Sequence, residues 1–321
     1  MLPSEPPRFR LFGEPSPLHR IARFSAALGD RADIWIKRED LLPLAFGGNK
    51  LRNLEFLVGA ARAEGADTLV TSGRRWSNHC RLTAAAGARA GLAVELVLTG
   101  PPTDPPGAGV KLMRALGATV HLLPSGDRGE RESAVGAIVE AVQARGGRPY
   151  VIEVGGSGVI GAWGQVLAAR EMFAQAAALG VVVDRIVLPT ATGGTQAGLI
   201  IGARSHSPGT RVMGVVVARP ATELRRAVET MVRGLDPAFP PGELAIDFDE
   251  RQLGEGYGRP TIAAADAAVL LARTEGILTD PIYTAKALAG LVAGVRSGAW
   301  DRQRIVFWHA GGLPGLFETL D

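Results

Sequence analysis

Residues 184–198 read Asp-Arg-Ile-Val-Leu-Pro-Thr-Ala-Thr-Gly-Gly-Thr-Gln-Ala-Gly. A short β-branched apolar run ends at Leu188, a turn marked by Gly193 and Gly194 follows, and an apolar stretch continues from Thr195 to His206. Short runs of this kind bounded by glycine predict a buried strand, and the longer stretch beyond predicts a helix. Strand, turn and helix in that order form the repeating step of a parallel α/β protein. The turn also has a chemical reading. Consecutive backbone N–H groups at the positive end of a helix, beside the Thr192 and Thr195 hydroxyls, make a cradle for a phosphate. It lacks the lysine of a nucleoside-triphosphate loop, and the competing reading is a tight turn that binds nothing.

The same alternation runs through the rest of the chain. Strands are predicted at Ile34–Lys37, Thr68–Thr71, Ala93–Leu98, Thr119–Leu123, Tyr150–Val154, Asp184–Leu188, Arg211–Val217 and Arg304–Trp308. Helices are predicted at Ser77–Gly91, Gly109–Leu116, Arg131–Arg145, Gly158–Ala178, Thr195–His206, Glu223–Val232, Ile262–Glu275 and Thr284–Ser297. Pro101–Gly107 and Asp236–Gly242 read as loops. The 321 residues suffice for one large or two modest domains. A net charge of +3, without a block of five like charges, argues against a nucleic-acid partner. No apolar run is long enough for a membrane span, and the first residues lack a secretory pattern. One cysteine, Cys80, excludes an intramolecular disulfide and a cysteine-built metal site. A cytoplasmic location is the default expectation, and no metal is expected.

Three further segments carry candidate chemistry. Lys37-Arg-Glu-Asp40 is followed by Gly47-Gly-Asn-Lys50-Leu-Arg52. A lysine condenses with an aldehyde only through its neutral amine, so it needs surroundings that lower its pKa. Lys50, after two glycines, is placed to lie against a flat ligand; a lysine there is otherwise plain surface. Thr71-Ser-Gly-Arg-Arg-Trp-Ser-Asn-His-Cys-Arg81 passes from a strand into a helix. Ser77 is a natural N-cap, and the open N–H groups after it suit a carboxylate. Gly254-Glu-Gly-Tyr257-Gly and Thr279-Asp-Pro-Ile-Tyr283-Thr284 place two of the chain's three tyrosines in loops. Gly156, Gly158 and Gly161 also fit a dinucleotide pattern, but the next strand begins rather than ends with its acid, Asp184, so no ribose is reached.

Taken together, K-R-E-D, G-G-N-K-x-R, S-N-H, T-G-G-T-Q-A-G, D-P-x-Y and H-x-G-G resemble the D-cysteine desulfhydrase and 1-aminocyclopropane-1-carboxylate deaminase family. This is a branch of the tryptophan synthase β-like, fold type II pyridoxal-phosphate enzymes. The motifs stand in that family's order from Pro17-Leu18 to Gly311-Gly312. The resemblance implies an α/β fold of two open, twisted, mostly parallel sheets flanked by helices. It implies a large cofactor domain from residues 1–54 and 158–321, with a small domain, 55–157, inserted. Pyridoxal 5'-phosphate is then held covalently by Lys50. Ala191, Thr192, Gly193, Gly194 and Thr195 cup its phosphate, Asn78 lies near its ring oxygen, and Ala310 stands near its ring nitrogen. Ser77, Asn78, His79 and Trp76 lie at the substrate, Tyr257 and Tyr283 line the pocket, and Lys50, Ser77 and the two tyrosines carry the catalysis. A cytoplasmic homodimer acting on a small amino acid is implied.

Three departures matter. Where cyclopropane deaminases carry Tyr-Glu and a Gln after Ser-Asn, this chain has Tyr283-Thr284 and His79, which favours the desulfhydrase branch. Where desulfhydrases read H-T-G-G, this chain has His309-Ala310-Gly311-Gly312, losing a hydroxyl beside the ring nitrogen. Arg74-Arg75-Trp76 also replaces small, apolar or Gln residues, and two guanidiniums there suit an extra anion unless they point to solvent. The leading expectation is β-elimination giving a 2-oxo acid and ammonia. The alternatives are cysteate sulfo-lyase, cyclopropane deaminase, β-replacement or racemase activity, and, from another class, a non-catalytic metabolite-binding protein.

Overall fold

The structure, a computed structural model, describes residues 4–100 and 107–318. In chain order the elements are β1 (Leu18–Arg20), α1 (Ala22–Ala27), β2 (Asp33–Arg38), α2 (Lys50–Ala63), β3 (Thr68–Arg74), α3 (Asn78–Ala90), β4 (Ala93–Thr99), α4 (Ala108–Ala115), β5 (Thr119–Leu123), α5 (Arg128–Ala144) and β6 (Pro149–Val151). There follow α6 (Val159–Ala178), β7 (Arg185–Thr190), α7 (Gly194–His206), β8 (Arg211–Val216), α8 (Ala221–Leu235), β9 (Asp247–Asp249), α9 (Ile262–Glu275), α10 (Thr284–Arg296) and β10 (Arg304–His309).

Two sheets result. One has the order β1-β2-β10-β7-β8-β9 and is parallel except where β1 pairs antiparallel with β2. The other, β5-β4-β3-β6, is wholly parallel. The sequences explain the burial. β10, Arg-Ile-Val-Phe-Trp-His, is buried from Ile305 to His309, as a strand covered on both faces must be. On one face of the larger sheet α6, α7 and α8 bury Trp163, Phe173, Leu199 and Val228; on the other α1, α9 and α10 bury Phe24, Leu271 and Leu288. The smaller sheet packs against α2, α3 and α4 around Leu54, Leu82, Leu96 and Met113.

The sequence-derived elements match closely, with differences that have causes. Tyr150–Val154 is a shorter strand than expected. Its pairing extends to Ile152, whose N–H donates to the Val70 carbonyl (2.8 Å), before Gly155 and Gly156 take positive φ and lead the chain away. β7 runs through Pro189, which lies beyond the three-residue ladder with β10 and so gives up no donor there. The helix α2 is absent from the sequence-derived set. Its Lys50, Arg52, Asn53 and Glu55 break the apolar period that marks a helix, and the last three are buried. Of the Pro101–Gly107 loop only Gly107 falls within the described residues.

Candidate active site

Parallel sheets bind ligands beyond the carboxyl ends of their strands. Here both sheets point those ends at one cavity of ≈ 270 Å³. Its wall takes Gly73 and Arg74 from β3, Thr99 from β4, Thr190 from β7, Ala218 and Arg219 beyond β8, and Ala310 and Gly311 beyond β10. Lys50, Ser77, Asn78, His79, Ala191, Thr192, Gly193, Thr195, Tyr257 and Tyr283 also line it. Two expected positions stand off the wall. Gly194 contributes only the first residue of α7, and Trp76 lies behind Tyr257, ring centroids 6.3 Å apart.

Lys50 opens α2 after an unusual turn. Leu44, Ala45 and Phe46 hold φ of 77°, 45° and 65°, a left-handed run that side chains disfavour and that surrounding contacts must hold. Gly48 N–H donates to the Glu39 carbonyl (3.0 Å) and Asn49 N–H to the Ala310 carbonyl (3.0 Å). A Cβ on Gly311 would stand 2.6 Å from the Gly48 Cα, so the two glycine loops nest backbone against backbone. Burial pulls the Lys50 amine down to about 8. Among the described residues no carboxylate is paired with it.

The K-R-E-D motif supports this helix without touching the cavity. Buried Glu39 accepts from Arg52 Nε (2.6 Å) and Nη2 (2.7 Å). Arg52 also donates to Glu171 on α6 (2.9 and 2.8 Å), which accepts from the buried Lys37 Nζ (2.6 Å). Arg38 forks onto Asp40 at 2.9 and 2.7 Å.

Hydrogen-bond accounting fixes what the other groups present. Ser77 Oγ accepts from Cys80 N–H (3.2 Å), capping α3 and leaving its O–H free to donate. Asn78 Oδ1 accepts from Arg81 Nη2 (3.1 Å), so its amide nitrogen is the free end. Thr71 Oγ1 donates to the Ile152 carbonyl (2.7 Å), so His79 Nε2 at 3.0 Å must be the donor to it. The neutral His79 Nδ1 is then a buried acceptor without a partner among the described residues. Burial, with the Lys50 charge adding, lowers this imidazole to about 3 and keeps it neutral. Tyr257 and Tyr283 share a hydrogen bond between hydroxyls, with rings 5.9 Å apart. Burial raises both, Tyr283 well above its ordinary value. Buried Asp280 holds Tyr283 in place by accepting from its N–H (2.7 Å). Cys80 is buried and pushed up to about 12, an unreactive thiol.

At the turn before α7, Gly193 takes φ 86° and no side chain caps the helix. A Cβ on Gly194 would meet Ser157 Oγ at 2.9 Å, which keeps the turn glycine. Ser157 Oγ donates to Thr192 Oγ1 (2.7 Å) and Asn49 Nδ2 to Thr195 Oγ1 (2.9 Å). Each threonine hydroxyl therefore keeps its own proton to give. The glycines of the apparent dinucleotide motif serve this packing: a Cβ on Gly161 would strike the Gly156 carbonyl at 2.3 Å, and Gly155 lies against Thr192.

A family model for pyridoxal-phosphate dependent enzymes matches residues 9–311. The chain belongs to that family. A D-cysteine desulfhydrase of Salmonella choleraesuis (strain SC-B67) is 37% identical over 97% of this chain and 95% of its own length. A solved structure of an ACC deaminase homologue superposes with a TM-score of 0.88 at 32% identity, over 97% of this chain and 94% of that one. The processed form of threonine deaminase isoform 2 from Solanum lycopersicum, with a TM-score of 0.67 at 20% identity over 92% and 79%, shares the fold. This pyridoxal-phosphate dependent enzyme uses pyridoxal 5'-phosphate. Its residues fit the group: two hydroxyl donors and an uncapped helix N-terminus suit the phosphate, and a buried amine of lowered pKa suits the aldehyde.

Sequence reasoning missed Asn49 and Arg81, which set the orientation of Thr195 and Asn78. Arg81 sits three residues after Asn78, the spacing of neighbours on one helix face, and that was its signal. Arg131 and Arg219 on the cavity wall had none, being single arginines in ordinary surface patterns.

Proposed function

We propose that this enzyme is a D-cysteine desulfhydrase-like lyase, removing a β-substituent from a small amino acid to give a 2-oxo acid and ammonia. The observation that carries the reading is the buried Lys50 amine, lowered to about 8 and unpaired among the described residues, on a wall shared with the open end of α3. The 37% identity to a D-cysteine desulfhydrase over nearly the whole chain supports the reaction class.

Pyridoxal phosphate, when bound, supplies an aldehyde for amines and a conjugated ring that accepts an electron pair. The protein's residues do the rest. Ala191–Thr195 hold the phosphate with backbone N–H groups and the Thr192 and Thr195 hydroxyls. Asn78 offers its amide N–H to the ring oxygen, while Ala310 leaves the ring nitrogen without a hydroxyl at that position. Ser77 and the first N–H groups of α3 bind the substrate carboxylate. Lys50 is the base that takes the α-proton. Tyr283 and Tyr257 keep their protons at neutral pH, so the pair serves as a donor toward the leaving group, with Trp76 packed behind.

We also assign residues 1–54 and 158–321 to a large cofactor domain and 55–157 to a small one. The four strands of the smaller sheet all fall within 68–151, which supports this. A cytoplasmic homodimer without nucleic-acid or membrane partners completes the proposal. No helix among the described residues is long and apolar enough to cross a membrane. Sedimentation of the purified holoenzyme tests the dimer.

The deciding experiment is turnover of a panel of D- and L-amino acids with product mass spectrometry. Pyruvate with ammonia and a released β-group is expected. Products that retain the β-substituent, as in racemisation, would overturn the elimination.

A further inference from the structure

We infer that the substrate carries a second anionic group, a carboxylate, sulfonate or phosphate, besides its α-carboxylate, and that Arg74, Arg131 and Arg219 read it. The inference rests on the proposed amino-acid chemistry and narrows it. Four cationic side chains, Lys50 and these three arginines, line the cavity, and no aspartate or glutamate among the described residues does so.

Elsewhere in this protein arginines find carboxylates: Arg38, Arg52, Arg145 and Arg211 each sit within 2.7 Å of one. Arg74, Arg131 and Arg219 have no ion pair among the described residues. They come from different elements: the end of β3, the first turn of α5 and the loop beyond β8. They are close enough to disturb one another. Arg131 is lowered chiefly by burial, opposed by the neighbouring Glu132 charge, with the Arg128, Arg219 and Arg74 charges adding to the fall. Arg74 is also held in place, its guanidinium 5.9 Å from the Trp76 ring and 3.4 Å from where a Cβ on Gly126 would lie. Arg74 and Arg75 both lie against the Trp76 ring, at 5.9 and 5.8 Å, and near Gly100, but Arg75 is buried and only Arg74 of the two lines the cavity.

Charge balance then points to the substrate. A phosphate group brings about −2 at neutral pH, and the α-carboxylate is met by Ser77 and the open end of α3. Three guanidiniums exceed the phosphate by about one charge, and bidentate oxoanion geometry suits them. Arg131 and Arg219 also line an adjoining cleft that carries Arg128 and Arg226, so the positive surface continues outward. There Glu132 is paired with Arg128 at 2.7 Å, and Glu153 is the other acid.

The test measures binding to the cofactor-saturated enzyme by calorimetry. Aspartate, cysteate and O-phosphoserine are compared with alanine, serine and cysteine, each as both enantiomers. At least one acidic compound should bind about tenfold or more tighter than its neutral counterpart, the scale of a charge-assisted pair. Arg74→Gln and Arg131→Gln should each remove most of that preference while neutral amino acids bind as before, and Arg74→Lys should restore part of it. Equal binding of acidic and neutral compounds by the unaltered enzyme would overturn the inference without any variant. So would an equal loss for all compounds, or loss of cofactor absorbance in the Gln variants, which would assign the arginines to the cofactor phosphate. Failure of borohydride to trap the cofactor on Lys50 would instead strike the proposed function itself.

Discussion

Replacing Arg52 by methionine keeps the helix and most of the volume but strips a buried fork. The side chain gives four N–H···O contacts of 2.6–2.9 Å to Glu39 and Glu171, and Glu39 is fully buried. Burial alone would lower the Arg52 pKa, but the two carboxylates raise it further, so the guanidinium stays charged. Without it the Glu39 carboxylate keeps only Ser16 as a hydrogen-bond partner among the described residues, and breaking a buried pair on one side costs about 3–5 kcal/mol. That is a large share of the roughly 5–15 kcal/mol that holds a domain together. Urea unfolding of the holoenzyme, followed by circular dichroism, should show the midpoint falling by about 1 M or more. Arg31→Met, at the exposed pair with Asp301, should leave it within error. Glu171 adds a pH signature. Burial raises its pKa, but the Arg52 and Lys37 bonds outweigh this and hold it below 4.5. Its contribution is therefore full above 4.5 and is lost as the pH falls through the lowered folded value, and Arg52→Met should shrink that acid loss. An Arg52→Met midpoint no lower than that of Arg31→Met would refute the reasoning.

Capture of pyridoxal phosphate by cofactor-free protein should rise with pH and reach half its plateau rate near 8, where the Lys50 amine loses its proton; stopped-flow absorbance checks this, and a midpoint near 10.5 would mean a solvated lysine. Because the folded value lies below 10.5, the cofactor-free protein should also gain stability as the pH rises from about 8 toward 10.5. Gly311→Ala places a Cβ 2.6 Å from the Gly48 Cα at a φ of 97°, so it should cost about 1–3 kcal/mol and slow cofactor capture. Gly136→Ala, mid-helix in α5 with open space around it, should instead stabilise by about 0.5–1 kcal/mol in the same urea assay.

Much of this was legible in the residues because local and tertiary signals agree. The run from Asp184 to Gly198 behaves as read: an apolar strand, a glycine turn that packing keeps glycine, and an uncapped helix. What stayed hidden was chemistry that violates the usual patterns. The helix starting at Lys50 buries Arg52, Asn53 and Glu55, so it lacks the apolar stripe by which helices are found. The three-residue strands β1 and β9 are too short to show a period. The meaning of K-R-E-D was also hidden: its residues look catalytic in sequence, yet they lock α2 to α6 through Glu39, Arg52 and Glu171. Arg131 and Arg219 face the cavity only because α5 and the loop after β8 converge there, which no local spacing encodes.

Reduction of the holoenzyme with borohydride, followed by proteolysis and mass spectrometry, asks directly which side chain holds the cofactor. A pyridoxyl mass on the peptide containing Lys50, absent from the Lys50→Ala protein, is the expected result. The same mass on another lysine, or none on any, would contradict the account.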